Sequence, residues 1–173
     1  MTSTVNLVFG SLIMEPQTGI LLNDQLDDFS IPGKSNYFGL KPSVPNYIAP
    51  GKRPQSSTAP ALILKDGKLV LNIGGSGGSR IGTAVFQTIL RVLDLDVGVN
   101  HAIQLPRIHH QLWPNVLEIE TTMAPDLIDQ FKTKNHTTSV IERAFSAVQA
   151  IHISNERIYA GADSRKNGHP AGY

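Results

Sequence analysis

The chain has 173 residues, 40% of them apolar, with 15 Lys+Arg against 14 Asp+Glu and no cysteine. This is length and apolar content enough for one domain, 1–173, with a real core. A net charge of +1 without a basic face argues against a nucleic-acid partner, and the lack of cysteine excludes disulfides, thiolate metal sites and a cysteine nucleophile.

No apolar run is long enough to span a membrane, and Met1 is followed by polar residues rather than by a signal-peptide pattern. Residues 1–9 alternate, with Thr2, Thr4 and Asn6 on one side of Ser3, Val5 and Leu7. That pattern predicts a strand whose polar stripe either faces solvent or lines a polar pocket. A turn at Pro16 and Gly19 and a short second strand follow over 12–22. Asn23-Asp24-Gln25-Leu26-Asp27-Asp28 packs three carboxylates and two amides into six residues. It reads as an acidic surface loop or helix cap, or as a site for a cation such as an ammonium; the spacing of a calcium-binding loop is absent.

Residues 29–60 carry Pro32, Pro42, Pro45, Pro50, Pro54 and Pro60, which exclude a helix or a long strand. Tyr37, Phe38, Tyr47 and Ile48 argue for an ordered covering loop rather than disorder. It ends near Lys52-Arg53 and Ser56-Ser57, hydroxyls and cations that suit a carboxylate or form a plain polar loop end.

Ala61 to Lys65, Asp66-Gly67 and Lys68 to Ile73 read as a hairpin with a type I′ turn. The stretch Ile73-Gly74-Gly75-Ser76-Gly77-Gly78-Ser79-Arg80 follows, and then an amphipathic helix, Ile81 to Leu93. Ser79 is its expected cap, and Ile81, Val85, Ile89, Val92 and Leu93 its apolar stripe. Strand, glycine loop and helix start together suit an anion, or an oxygen that becomes one during a reaction. The loop fits neither nucleotide pattern: Arg80 stands where a dinucleotide fingerprint needs its third glycine, and no lysine completes a P-loop. The alternative is a turn that merely joins two elements.

A short helix is expected over Asn100–Gln104, stopped by Pro106. His109 and His110 are adjacent and point to different sides, so packing or support of a neighbouring group is preferred to a shared metal. A strand at Val116–Glu120, a helix at Ala124–Lys134 and two strands at 139–152 and 156–162 complete the elements, with 144–150 ambiguous with helix. Residues 162–168 read as a polar tail, and Asn135-His136-Thr137 fits the glycosylation sequon. Hairpins in runs with helices on their faces, and no βαβαβ alternation, favour a layered α+β fold.

The ordered set Thr2 to Asn6, Phe9-Gly10-Ser11, Gly19 to Asn23, Asp27 to Ser30, Pro50 to Pro54 with Ser56-Ser57, Gly74 to Gly78, Pro106-Arg107 with His109 and Gln111, and Asp163 through Tyr173 resembles the small subunit of γ-glutamyltransferase, also called γ-glutamyltranspeptidase or glutathione hydrolase. The resemblance covers essentially the whole chain. It implies an α+β N-terminal-nucleophile hydrolase fold, part of a four-layer αββα sandwich, made by self-cleavage of a precursor.

By position, the resemblance gives Thr4 the task of orienting the nucleophile. It has Asn6, Gln25 and Asp28 hold the α-ammonium of the glutamyl group, and Ser56 and Ser57 its α-carboxylate. It makes the N–H groups of Gly77 and Gly78 the oxyanion hole. Neither cofactor nor metal is implied. The implied partners are γ-glutamyl small molecules, glutathione and glutamate among them, and the large subunit of the same precursor. Family members are extracellular, at the plasma membrane or in fungal vacuoles, and nothing in these residues chooses among these. The nucleophilic threonine of the family lies about fifteen residues ahead of the position matching Thr2. The chain is therefore expected to lack its nucleophile and to be inactive alone. Gln25 stands where some members have glutamate. The other reading is a truncated, non-catalytic light-chain-like protein that binds γ-glutamyl ligands or a full-length partner.

Overall fold

A computed structural model describes residues 2–142 and 146–172. The chain divides into two compact units, Met1–Ser56 and Ser57–Tyr173.

The first unit is held by turns and side-chain bonds. The strand expected over 1–9 does not form; Met1 lies outside the described residues, and Asn6 and Phe9 take φ of 74° and 59°. Left-handed φ breaks a pleat, so the alternation never becomes a ladder. Asp24 replaces the ladder. Its Oδ1 accepts from the Leu7 N–H (3.2 Å), its carbonyl from Asn6 Nδ2 (3.3 Å), and its own N–H donates to the Val5 carbonyl (3.2 Å). Such short polar side chains compete with regular structure by bonding nearby backbone. The second expected strand shrinks to one bridge, Met14 to Leu21. The Glu15 carboxylate closes the turn between them, accepting from the Gln17 and Thr18 N–H groups and the Thr18 hydroxyl.

Gln25–Asp28 forms one 3-10 turn and Val44–Asn46 another. The rest of 29–56 is irregular, as its prolines dictate. Asn46 fastens it: Nδ2 donates to the Asp28 carbonyl (2.8 Å) and Ser30 Oγ (3.3 Å), while Oδ1 accepts from the Gln55 N–H (2.9 Å).

The second unit is layered. The hairpin β1 (Ala61–Lys65) and β2 (Lys68–Ser76) forms as read, with Asp66 and Gly67 at φ 51° and 77°, the left-handed pair a type I′ turn needs. Strand β2 runs on through Gly74, Gly75 and Ser76. Helix α1 (Ile81–Leu93) follows, then α2 (Val99–Gln104), β3 (Ile108–His109), β4 (Leu117–Glu120), α3 (Pro125–Thr133), β5 (Thr138–Ile141), β6 (Ala147–Ser154) and β7 (Arg157–Ala162). One sheet has the order β1-β2-β6-β7, antiparallel throughout; the other has β3-β4-β5, with β4 and β5 parallel. The single strand expected over 139–152 is thus two strands, one in each sheet. Of the stretch ambiguous with helix, 144–145 lies outside the described residues and 147–150 is strand.

Helices α1 and α2 cover one face of the four-stranded sheet. Leu71 and Ile73 from β2 and Val148 and Ala150 from β6 meet Ile81, Ala84, Val85 and Val92 from α1 and Val99, Ala102 and Ile103 from α2. A fully buried aliphatic side chain of this size contributes about 1.5–3 kcal/mol. Leu93, expected in the stripe, is 38% exposed, and Thr88 sits fully buried in its stead with its hydroxyl on the Ala84 carbonyl. Gly161 is where α2 meets the sheet: a Cβ there would lie 2.6 Å from Ile103 Cδ1 and 3.2 Å from Asn100 Cα. The opposite sheet face leaves Leu62, Leu64 and Ile151 exposed.

The closing segment is not the polar tail expected of it. Asp163 is fully buried, and Ser164–Lys166 forms a 3-10 turn. Arg107 donates to Asp163 Oδ2 (2.6 Å), and Arg165 clasps Glu120. Buried charges persist only when paired and hydrogen-bonded, and here each has its opposite.

Candidate functional site

The glycine stretch is a sharp backbone device. Gly77 takes φ 127° and Gly78 φ 60°, and Gly78–Arg80 forms a 3-10 turn that runs into α1. An L side chain is disfavoured at both positions, which explains two glycines in succession. The turn follows Ser76, whose hydroxyl accepts from Lys166 Nζ (2.9 Å). Ser79 does not cap α1. The cap position is Arg80 and makes no side-chain cap bond, whereas the Ser79 hydroxyl donates to Gln111 Oε1 at 2.7 Å. A helix start and two left-handed residues in a row form a place where developing negative charge is favoured.

The first turn of α1 is docked on β3 and β4. Arg80 makes a two-pronged pair with Glu118, Nε to Oε2 at 2.7 Å and NH2 to Oε1 at 2.6 Å. Gln87 brackets Ile108, donating to its carbonyl (2.8 Å) and accepting from its N–H (3.1 Å). His109 is 7% exposed and lies between Thr83 Oγ1 (2.8 Å from Nδ1) and Gln111 Oε1 (2.9 Å from Nε2). His110 instead meets Asn115 Oδ1 (3.1 Å), so the two rings serve different partners.

In the first unit, the acidic turn brings together part of the expected ammonium site. Gln25 Nε2 donates to Asp28 Oδ2, and Asn6 also bonds the Asp28 side chain. Thr4 joins through its Oγ1, which accepts from the Asn6 N–H at 2.8 Å. Burial raises the Asp28 carboxyl above the ordinary aspartate range; Gln25 and Asn6 pull it back, and the neighbouring charges of Asp27 and Asp24 push it up further. A cleft of about 350 Å³ opens in the same unit, lined by Asp27, Phe29, Ser30, Lys34, Tyr37 and Lys41 among others. That is the size of a small-molecule site. Ser56 and Ser57 are exposed, Ser56 the last residue of the first unit and Ser57 the first of the second.

The sequence reading missed Asn46. Its signal was Val44-Pro45-Asn46, an amide after a turn proline, which points to backbone bonding but not to which backbone.

The gamma-glutamyltranspeptidase family model matches residues 1–173. Glutathione hydrolase proenzyme 1 of Schizosaccharomyces pombe is 43% identical over 175 residues, covering 100% of this chain and 28% of that protein. Scoloptoxin SSD20 of Scolopendra dehaani is 40% identical, over 99% of this chain and 88% of that protein. An acivicin-inhibited gamma-glutamyltranspeptidase of known structure superposes with a TM-score of 0.90 at 36% identity, covering 97% of this chain and 92% of that one. The chain spans little more than a quarter of the Schizosaccharomyces proenzyme, whose C-terminal portion it matches. Its fold is that of the N-terminal-nucleophile hydrolases. On the match over its full length, the chain belongs to the gamma-glutamyltranspeptidase family.

Proposed function

We propose that these residues form the substrate-binding and oxyanion-stabilising part of an enzyme that transfers or hydrolyses the γ-glutamyl group of glutathione and other γ-glutamyl amides. The observation that carries the reading is the cluster in which Gln25 and Asn6 flank the partly buried Asp28 carboxylate. An α-ammonium finds there one full negative charge and two amides able to accept, the arrangement an amino-acid head group requires.

In this reading the nucleophile is a threonine encoded ahead of Thr2 in the precursor and freed by self-cleavage, with its own α-amine as base. Its hydroxyl oxygen attacks the γ-carbonyl carbon and the proton passes to the amine. The carbonyl oxygen becomes an oxyanion between the Gly77 and Gly78 N–H groups. The amide C–N bond breaks, the leaving nitrogen takes the proton, and a γ-glutamyl ester remains on the threonine. Water or an incoming amine then attacks that ester. Thr4 orients the nucleophile, Asn6, Gln25 and Asp28 hold the α-ammonium, and Ser56 and Ser57 hold the α-carboxylate. The remaining cationic contact to the carboxylate comes from the large subunit. Supporting the glycine assignment, two left-handed residues at a helix start suit an oxyanion.

The test is N-terminal sequencing of the mature protein from its natural source, with a γ-glutamyl-4-nitroanilide assay on the same preparation. A terminal threonine and release of 4-nitroaniline are expected. A mature protein beginning at Met1 or Thr2 that releases nothing overturns the reading.

The second reading is a non-catalytic light-chain-like protein that binds γ-glutamyl ligands or a full-length partner. The observation favouring it is a relative of nearly the same length, Scoloptoxin SSD20, 88% of which the chain covers. Calorimetry with glutamate and glutathione separates the cases: heat without turnover supports this second reading.

A further inference from the structure

Beyond the residues expected to touch substrate, one side chain is built into the support of the glycine turn. We propose that His109 is a positioning residue for Gly77–Gly78, acting through Gln111 and Ser79. The proposal rests on the reading of that turn as an oxyanion site.

The hydrogen bonds run in a fixed direction. Gln111 Nε2 donates to the Trp113 carbonyl at 3.0 Å, and this sets which way its amide points. Its Oε1 is left for two donors, the Ser79 hydroxyl at 2.7 Å and His109 Nε2 at 2.9 Å. An amide oxygen carries no proton, so Nε2 of His109 must carry one. At the other end of the ring, Nδ1 lies 2.8 Å from Thr83 Oγ1, and that hydroxyl is also 3.1 Å from the Arg80 carbonyl. The imidazole therefore ties the first turn of α1 at one nitrogen and the glycine turn, through Gln111, at the other.

The surroundings make this a support and not a ligand site. His109 is 7% exposed. Opposite it in the β3–β4 ladder stands Glu118, held by Arg80 from α1. Arg107, two residues before it on the chain, is bound to Asp163. The cavity beside the ring has about 10 Å³, room for a single water at most. His110 points elsewhere, to Asn115, and shares none of these bonds. A donor that must meet an oxyanion within a fraction of an ångström needs its backbone held, because a shift of about 1 Å can reduce turnover by about a hundredfold.

The test compares His109→Leu, His109→Gln and wild type as mature enzyme processed from the full-length precursor. His109→Gln keeps an N–H donor able to reach Gln111; His109→Leu keeps volume and loses both bonds. For His109→Leu, kcat is expected to fall about tenfold or more with KM held within about twofold, since the interaction serves the transition state. His109→Gln should restore most of it. Amide hydrogen exchange should speed up at Gly77, Gly78 and Ser79 in His109→Leu but not at Leu71 or Ile73. Nitrogen NMR of wild type should find the proton on Nε2. Unchanged kcat and unchanged exchange in a folded His109→Leu, or a proton on Nδ1 alone, overturns the proposal. If His109→Leu does not fold, the wild-type tautomer and exchange at the turn in Ser79→Ala decide it. If wild type has no activity while the exchange and NMR results hold, the oxyanion reading has failed and the support of the turn stands.

Discussion

Arg165 lies flat along the Glu120 carboxylate, with Nε 2.6 Å from one oxygen and NH2 2.6 Å from the other. Its NH1 reaches Asp163 at 3.2 Å, and Asp163 in turn holds Arg107. Four charges from three parts of the chain thus close on one another with little water. Removing one member strands another in a place where a lone ion is poorly tolerated. Arg165→Ala is expected to destabilise the fold by about 3–5 kcal/mol, a Tm loss of about 6–20 °C. Thermal and urea unfolding measure it. A change below about 1 kcal/mol would mean that the pair behaves like an exposed one.

Asp163 also sets an acid limit. Burial alone would raise its carboxyl, but the Arg165 N–H, the Arg107 guanidinium, and the Val148 N–H hold it below the ordinary aspartate range. A depressed carboxyl contributes stability that is fully present above its unfolded value, about 3.9, and is lost as pH falls through the lower folded value. Stability measured from neutral pH downward should therefore hold to about pH 4 and then decline, as far as this group is concerned. Asp163→Asn should be less stable at neutral pH and should lose that part of the acid slope.

Asp28 runs the other way. Its carboxyl is raised, chiefly by burial, so its contribution to stability is present below the unfolded value and lost as pH rises through the folded one. An ammonium ligand needs the ionised form. Binding of a γ-glutamyl ligand should weaken as pH falls, with a midpoint above the usual value of about 3.9, and Asp28→Asn should abolish that dependence along with most of the affinity. Binding titrations across pH 4–7 are the measurement, and a pH-independent Kd in wild type would exclude Asp28 as the ammonium's partner.

Gly77→Ala and Gly78→Ala test the turn itself. Each forces a Cβ onto a left-handed residue at about 1–2 kcal/mol. If the turn cradles an oxyanion, kcat should fall about a hundredfold or more, beyond what that strain explains. Gly82→Ala is the control: it lies within α1, a Cβ there meets nothing within 4 Å, and the change should stabilise the helix by roughly 1 kcal/mol.

The hairpin, α1 and α3 were legible because each has a local cause: Asp66-Gly67 for the turn, a 3.6-residue apolar period for α1, Pro125 at a first helical position for α3. Residues 1–9 misled because alternation was read without the cost of a left-handed Asn6, and because Asp24 offered the backbone nearer bonds. The closing segment misled for the opposite reason. Asp163-Ser164-Arg165-Lys166 is polar, and its burial depends on Arg107 and Glu120, far away in sequence. At the candidate site, the Gly77–Gly78 turn and the Asn6–Gln25–Asp28 cluster were legible as residue types. The bracing of the turn through Ser79, Gln111 and His109 was not, because a hydroxyl before a helix reads first as a cap.

The buried charge box also bears on how a cell would treat a damaged transcript. A reading frame that stops short of Asp163 still encodes every strand and α-helix of the second unit, yet takes Asp163 from Arg107 and Arg165 from Glu120. Such a product would spend more of its time open and be cleared by proteolysis, so a stop codon just ahead of Asp163 should act as a loss of abundance rather than as a harmless shortening.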